Sequence, residues 1–382
     1  MKILKFLVVF LIISLFFTAC GKKKGEEVAD KGTAKVEKKA DVKVEKKADV
    51  KKTNAKALTI RDSKATEAQI NKLSEIFAFG DKLVKERSGY QHEIAVLSPE
   101  FKKIKTPFKV KAKSKHKFVG YSYFSDSVWV TIYPDEASLK ARKNYSFWIT
   151  ISYKHSIDEK GRKAYRDKFA GYPAKHFKNA WAWLLLKGDI EVKISGYTKE
   201  AKSDKAMEEI LKEFDLKAME HIFDKKTKYP KLKEYFLKIK AINAKINVVN
   251  AKFKAKEKEG ADALKPFITN EGILKDLDLS KVTYYNSNTF LISVKQGKKF
   301  VFTLTIGRPG VLGLLSYFKN KDLKRSKVGG FEVTTLKDNL AMIKLPKVSI
   351  KASTYYKTEF KNAEKLKEAI LSLDIKGLSK VK

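Results

Sequence analysis

The stretch Tyr123-Phe-Ser-Asp-Ser-Val-Trp-Val-Thr-Ile132 is matched in pattern by Tyr285-Asn-Ser-Asn-Thr-Phe-Leu-Ile-Ser-Val294. Both contain the alternation of apolar and polar residues that is typical of a half-buried β-strand. Four more pairs of segments match in the same order and at nearly constant separation. They are Phe147–Ile151 with Phe302–Ile306, Lys168–Tyr172 with Lys327–Phe331, Val192–Tyr197 with Ile350–Tyr355, and Phe214–Lys217 with Leu373–Lys376. This repetition predicts an internal duplication.

Each copy predicts the same series of elements. In the first copy, Thr66 and Gln69 form a capping box, and the apolar stripe from Ile70 to Val84 predicts an N-terminal helix that belongs to this copy. A C-terminal helix is predicted to begin after Ser203. Between them, the predicted strands are Val128–Ile132, Phe147–Ile151, 171–177, Trp181–Leu186 and 190–197. Strands joined by short hairpins, with helices at the ends, favour an antiparallel α+β fold over a doubly wound parallel sheet.

A long helix is predicted between the two copies. Pro230 suits its first turn, and Gly260 is expected to end it. Apolar residues recur along one narrow seam with the spacing of a coiled coil. The seam consists of Leu232, Tyr235, Ile239, Ile242, Ile246, Val249 and Phe253. Two interpretations stay open. The seam packs on the helix's own domain, or it joins copies of the chain through the 230–259 helix, which the flanking lysines would oppose in a parallel dimer.

The predicted organisation has five parts. They are a signal peptide at 1–19, a disordered Lys/Glu/Ala-rich tether at 20–59, an α+β domain at 60–222, a connecting helix at 223–260 and a second α+β domain at 261–382. Within the tether, the octet Val-Glu-Lys-Lys-Ala-Asp-Val-Lys occurs at 36–43 and again at 44–51. Because no aromatic residue occurs from Gly21 to Thr59, this segment cannot bury enough apolar surface to fold.

The N-terminus reads Met1-Lys2-Ile3-Leu4-Lys5, then an apolar run from Phe6 to Phe17, and then Thr18-Ala19-Cys20-Gly21. The apolar run is too short to span about 30 Å of hydrocarbon, and Cys20 is the only cysteine. These residues resemble the lipobox signal of bacterial lipoproteins, with Phe17 where that family usually has Leu. The resemblance implies cleavage between Ala19 and Cys20 and acylation of Cys20. An ordinary secretory signal, or a thiol buried in a core, is the alternative.

The lipoprotein resemblance also implies a location. The mature chain is expected outside the cytoplasm, in the cell envelope, anchored by its lipid to a membrane. The outer membrane or the cell surface is favoured over the inner membrane. Lys22, Lys23 and Lys24 follow the anchor directly and can contact anionic head groups.

The chain carries 82 Lys and Arg against 44 Asp and Glu, a formal net charge of +38. Such a charge suggests a polyanionic partner. Outside the cytoplasm, this partner would be an anionic lipid or an envelope polymer, and no nucleic acid is expected. Only seven of the basic residues are arginine, however, and arginine is favoured for bidentate phosphate recognition. Lysine spread along every segment also fits a solvated coat, and both interpretations stay open.

No residue pattern predicts a catalytic or metal site. The five histidines are His92, His116, His155, His176 and His221, and none lies in a spacing that zinc sites use. The segment from Gly307 to Gly310 resembles a phosphate loop, but Pro309 lacks an amide donor, so we interpret it as a turn. Asp215 and Asp374, which match between the copies, predict helix caps. We expect no cofactor, no metal and no catalytic residue, and we assign no ligand-binding residue.

Trp181 and Trp183 are two residues apart on a predicted strand and therefore share one face. Facing solvent, they could stack on a sugar or lie at a membrane interface. Facing the core, they would contribute packing. Leu340 and Met342 stand at the matching positions of the second copy, and their aliphatic character favours packing.

These observations favour a non-catalytic binding or structural role at the envelope. Two alternatives stay open: a carrier of an apolar or lipidic ligand in a cavity between sheet and helix, and a hydrolase acting on envelope polymer. A closed cavity would favour the carrier. A cleft that gathers several acids would favour the enzyme.

The anchor leads to a first prediction. Cys20→Ser removes the sulfur that would carry the acyl chains, whose buried methylenes each contribute about 0.8 kcal/mol to membrane binding. We expect this variant to move from the detergent phase to the aqueous phase when membranes are partitioned with a phase-separating detergent. Lys24→Gln keeps the cysteine and should stay in the detergent phase. Unchanged partitioning of Cys20→Ser would contradict acylation.

Overall fold

The computed structural model describes residues 59–155, 157–196, 203–269, 271–309, 323–337, 339–354, 358 and 360–382. Both hydrophobic cores lie within one compact unit that runs from Ala57 to Lys382. The predicted signal peptide with Ala19 and Cys20, and the predicted tether up to residue 58, lie outside the described residues.

The first half of this unit contains one antiparallel sheet. Its strands are β1 (Val119–Tyr123), β2 (Ser127–Ile132), β3 (Phe147–Tyr153), β4 (Asp167–Phe169), β5 (Tyr172–Phe177), β6 (Trp181–Leu186) and β7 (Ile190–Gly196). They are ordered β1-β2-β3-β7-β6-β5-β4. The helices of this half are α1 (Glu67–Phe101), α2 (Glu136–Ala141), α3 (Glu159–Arg162), α4 (Asp204–Leu211) and α5 (Leu216–Glu220). Val130, Ile149 and Ile194 are fully buried on the face that carries the first core.

The second half contains another antiparallel sheet. Its strands are β8 (Val282–Tyr285), β9 (Thr289–Gln296), β10 (Lys299–Gly307), β11 (Leu323–Val328), β12 (Phe331–Leu336), β13 (Leu340–Lys344) and β14 (Ser349–Ser353). Its helices are α6 (Pro230–Ala255), α7 (Glu257–Leu264), α8 (Ala363–Leu371) and α9 (Ile375–Ser379). The sheet order is β8-β9-β10-β14-β13-β12-β11, the same as in the first sheet. The predicted antiparallel α+β class is confirmed, with two seven-stranded sheets.

The predicted helix caps are confirmed. The capping box at Thr66 starts α1, and Ser203 caps α4. Asp215 and Asp374 cap α5 and α9 through side-chain hydrogen bonds to backbone amides. Asp374 also accepts hydrogen bonds from the segment 63–65. This acid therefore joins the beginning of the described chain to its C-terminal end.

The long helices α1 and α6 contact each other, and each contributes to both cores. The stripe of α1 from Ile70 to Leu83 packs in the core of the second sheet, whereas Phe101 at its end packs in the first. Helix α6 does the reverse, with Leu232 to Ile239 in the first core and Val249 and Phe253 in the second. The prediction that the α1 stripe packs on the first copy is wrong. With 35 residues, the helix is about 50 Å long and reaches the other sheet.

Helix α6 ends at Ala255, and Gly260 lies inside α7. The prediction that Gly260 ends the long helix is therefore wrong. A Cβ atom at Gly260 would lie 3.1 Å from the ring of Tyr284, so glycine allows α7 to approach β8 closely. The predicted seam of α6 is buried within the chain, apart from the half-buried Ile246. Association of copies through this helix would have to use another face of it.

Helix α1 meets the second sheet at Gly80. Beside it, the amide of Asn288 donates hydrogen bonds to the carbonyl oxygen of Phe77 and to Asp81, each at 2.8 Å. The same amide group accepts a hydrogen bond from the Tyr284 hydroxyl at 2.8 Å. A Cβ atom at Gly80 would overlap both Asn288 and Tyr284. The absence of a side chain therefore allows the helix to lie on this polar cluster.

Arg308 also contributes to this junction between α1 and the second sheet. It follows β10 in the segment that we interpret from the sequence as a turn. Its guanidinium donates a hydrogen bond to Asp81 at 2.9 Å and lies 4.8 Å from the centre of the Phe77 ring. It also donates to the carbonyl oxygens of Lys347 and Lys382. One side chain thus connects α1, the second sheet and the C-terminus.

The junction gives a stability prediction. Gly80→Ala should lower the free energy of unfolding by about 1–3 kcal/mol, because the added methyl group overpacks the contact with Asn288. Gly89→Ala is the matched control in the same helix, since nothing lies within 4 Å of its Cβ position, and it should be neutral or stabilising by up to about 1 kcal/mol. Urea denaturation of both variants measures the difference. Equal stability of the two would contradict the packing described.

Candidate functional site

All four tryptophans of the chain lie on the face of the first sheet that is opposite to its core. They are Trp129 in β2, Trp148 in β3, and Trp181 and Trp183 in β6. All are half-buried, whereas Ala182 and Leu184 between and beside them are fully buried in the core. The expectation that Trp181 and Trp183 pack in the core is wrong, because strand alternation turns the indoles outward.

The register of the strands places these side chains in two adjacent rows. The first row consists of Trp129, Thr150, Lys193, Trp183 and Lys175. The second row consists of Thr131, Trp148, Ser195, Trp181 and Phe177. We refer to the surface formed by Trp129, Trp148, Lys175, Phe177, Trp181, Trp183 and Lys193 as the aromatic platform. It crosses strands β2, β3, β7, β6 and β5.

The aromatic rings of the platform contact one another in two groups. On one side, the centroids of Trp129 and Trp148 are 5.3 Å apart. On the other side, Trp181 lies 5.1 Å from Trp183 and stacks on Phe177 at 4.1 Å. Phe177 is 57% exposed and forms the outer edge. The rings therefore form a nearly continuous apolar surface.

Two lysines lie among the rings. The Lys193 ammonium is 4.6 Å from the ring centre of Trp148 and 5.0 Å from that of Trp183, so it bridges the two aromatic groups. Lys175 lies 5.2 Å from the ring centre of Trp183 and 4.3 Å from that of Tyr165. Burial lowers the pKa of Lys193. The platform is thus aromatic with positive charge at ring level, where each cation–π contact contributes about 0.5–2 kcal/mol.

A buried carboxylate borders the platform. Glu191 accepts a hydrogen bond from the Tyr165 hydroxyl and pairs with Lys154 at 2.9 Å. Burial and the neighbouring Glu191 raise the pKa of Tyr165, so that its hydroxyl keeps the proton that it donates. Asp189, two residues away, pairs with Arg162. Because both acids have ionic partners, they hold the connecting loops of the sheet in position.

The same face of the second sheet has a different composition. The second sheet has other residues at the positions of the four tryptophans. In the same order, they are Leu291, Thr303, Leu340 and Met342. Lys351 matches Lys193, and burial lowers its pKa as well. The aromatic platform is therefore a property of the first sheet. The sequence pattern does not distinguish Trp129 and Trp148 as surface residues. Each of them nevertheless stands where the alternation of its strand expects an outward-facing residue.

Four of the five histidines pair with acids. The pairs are His116 with Glu213, His155 with Asp126, His176 with Asp204 and His221 with Asp224, at 2.5–3.1 Å. Ser114 also binds Glu213, so the carboxylate lies between the serine and His116. A nucleophilic triad needs the histidine in the middle, and this cluster has the wrong order for one. Within the described ranges, no group of three or more metal-binding side chains occurs.

Buried side chains of the described residues pack between the first sheet and its helices. Phe108, Ile149 and Phe236 have no more than 1% exposed surface there. A depression of about 490 Å³ lies instead at the sheet edge. It is lined by Lys115, His116, Lys117, Phe118, Ile132, Tyr133, Pro134, Ser146, Phe147 and Ala206. This depression is open to solvent and is separate from the aromatic platform.

Comparisons with protein-family profiles, with curated proteins and with solved structures gave no match for this chain. Among the helices that the structure describes, none is both long and apolar enough to cross a bilayer.

The opposite orientation of neighbouring residues in β6 gives a prediction. Leu184→Ala should lower the free energy of unfolding by about 2–5 kcal/mol, because Leu184 is fully buried in the core. Trp183→Ala should cost less than about 2 kcal/mol, although the side chain is larger, because it faces outward. Chemical denaturation of the two variants measures both values. If Trp183→Ala were the more costly change, the outward orientation would be refuted.

Proposed function

We propose that this protein is a lipid-anchored component of a bacterial cell envelope with a non-catalytic binding role. The aromatic platform is its binding surface, and an anionic polymer of the envelope is its partner. The anchor is supported by the N-terminal resemblance at Ala19 and Cys20. The observation that carries the binding role is the gathering of all four tryptophans on one outward face, with Lys193 between them.

We also propose that the two halves arose by duplication, as domains at 60–222 and 261–382 that the 223–260 helix joins. Support comes from the identical strand order of the two sheets and from the equivalent caps Asp215 and Asp374. Only one of the two copies has the aromatic platform. This difference is the pattern expected when one copy keeps a binding surface and the other contributes to stability.

Charge complementarity favours an anionic partner. Lys175 and Lys193 lie within the platform, and the whole chain carries a formal charge of +38. Two carboxylates on the same side of the molecule as the platform, Glu191 and Asp189, are already paired with Lys154 and Arg162. They are therefore occupied in holding the sheet's loops, which favours binding over hydrolysis.

The carrier alternative has less support. A carrier needs an enclosed apolar space, and the packing of Phe108 and Phe236 fills the region between the first sheet and its helices.

The tether would serve a binding role, since a coil of about 40 residues spans roughly 35 Å. It would let the platform reach material beyond the membrane that holds the anchor.

A sedimentation experiment tests the proposal. The unit from Ala57 to Lys382 should co-sediment with isolated envelope fragments, and rising salt should weaken this binding because charges contribute to it. Trp183→Ala should weaken binding at least about fivefold, since it removes a stacking surface. Met342→Ala, at the matching position of the second sheet, should leave it unchanged. Equal binding by both variants would contradict a role for the platform.

A further inference from the structure

We propose that the ligand of the aromatic platform is an anionic glycan, a chain of pyranose rings that carry carboxylate or phosphate groups. This inference rests on the proposed binding role and names the chemical class of the partner. It assigns ring stacking to the aromatic side chains and charge recognition to Lys193 and Lys175.

The shape of the platform suits a chain of rings. Five neighbouring strands at about 4.8 Å spacing give it a length of roughly 19 Å. The aromatic contacts follow this direction, from Trp129 and Trp148 across Lys193 to Trp183, and then along Trp181 to Phe177. A surface of this length contacts several sugar units in succession. A single small ligand would use only part of it.

The exposure of the rings distinguishes a glycan from a bilayer. Residues that insert into a membrane interface must project from the surface. Trp129, Trp148 and Trp183 are half-buried against their neighbours, and lysine ammonium groups lie over the rings of Trp148 and Trp183. Only Phe177 among the platform aromatics is more than half exposed. Aromatic side chains that their neighbours hold in place suit contact with the apolar face of a sugar ring.

The same contacts disfavour stacked nucleobases. Single-stranded nucleic acids combine aromatic stacking with contacts to a phosphate backbone, to which arginine often contributes. The five strands of the platform contain no arginine. Within each of the two groups, the rings contact one another at 4.1–5.3 Å, which leaves no gap for a base to enter between those rings.

The charged part of the ligand is placed by Lys193. Its ammonium lies between two indoles, where burial lowers its pKa. An anionic group of a ligand that contacts the rings would therefore also contact this ammonium. An ammonium acts as a point charge, which suits one carboxylate or phosphate on each of several sugars. Lys175 presents a second charge on β5, two strands away from Lys193 and beside Trp183.

Two buried polar atoms under the rings support a ligand surface. Among the described residues, neither Trp183 Nε1 nor Ser195 Oγ has a hydrogen-bond partner, and an unpaired buried group costs about 1–3 kcal/mol. A sheet face selected only for stability would avoid this cost.

Binding measurements on the Ala57–Lys382 unit test the inference. The probes are an oligogalacturonate, a neutral glucan of the same length, single-stranded DNA, and vesicles that contain phosphatidylglycerol. We expect the oligogalacturonate to bind most tightly and to be weakened by salt. Its binding should change the intrinsic tryptophan fluorescence, because every tryptophan lies on the platform.

Matched variants assign the two parts of the platform. Phe177→Ala should weaken oligogalacturonate binding about fivefold, and the equally simple change Tyr285→Ala, at an exposed aromatic residue of the second half, should not alter it. Lys193→Gln should weaken it about tenfold and reduce its salt dependence, whereas Lys82→Gln, at an exposed lysine of α1, should do neither. Thermal unfolding confirms that each variant is folded.

The outcomes separate the two levels of the proposal. Binding of vesicles or DNA that depends on Phe177 and Lys193, without oligogalacturonate binding, would overturn the glycan and leave the platform as a binding surface. Equal binding of the neutral glucan would overturn the requirement for charge. If binding to all four probes and to envelope fragments is unaffected by these substitutions, both the inference and the proposed function are refuted.

Discussion

The structure depends on one packing constraint, the passage of α1 and α6 across both sheets. Each long helix begins on one core and ends on the other. Each core is therefore completed by part of a helix whose remaining part packs in the other core. At Gly80 the helix backbone lies against Asn288 and Tyr284, and Arg308 connects this point to Asp81. Loss of this junction would expose the apolar stripe of α1 and the inner face of the second sheet together, so the two halves should unfold cooperatively.

This constraint also determines where a binding surface can lie. The helices cover the inner face of each sheet, and their apolar residues fill the space beneath it. The outer face of the first sheet takes no part in that core. Side chains on this outer face can therefore change without disturbing the crossing helices. The second sheet, with Leu291, Thr303 and Met342 at the matching positions, shows that the same framework accepts a different outer face.

Local signals in the sequence predicted much of this fold, and long-range packing accounts for what they missed. The strands follow from alternation, and the caps at Thr66, Ser203 and Asp215 follow from residue type, because both depend on neighbours within a few positions. The sequence could not predict which sheet the α1 stripe packs against, because an apolar stripe can be buried equally well against either sheet. The same limit applies to Trp181 and Trp183: spacing shows that they share a face, but not which face the helices cover.

The composition of the aromatic platform is hard to explain by stability alone. Indoles are large enough to shield the sheet, but threonine and aliphatic side chains serve that purpose at the matching positions of the second sheet. Burial disfavours the charge of Lys193, as it does that of Lys351 in the second sheet, and among the described residues Trp183 Nε1 and Ser195 Oγ have no hydrogen-bond partner. Each of these features costs free energy in the unliganded protein. A ligand that supplies an anion and hydroxyl groups would compensate for these costs, which is the physical basis of the proposed binding role.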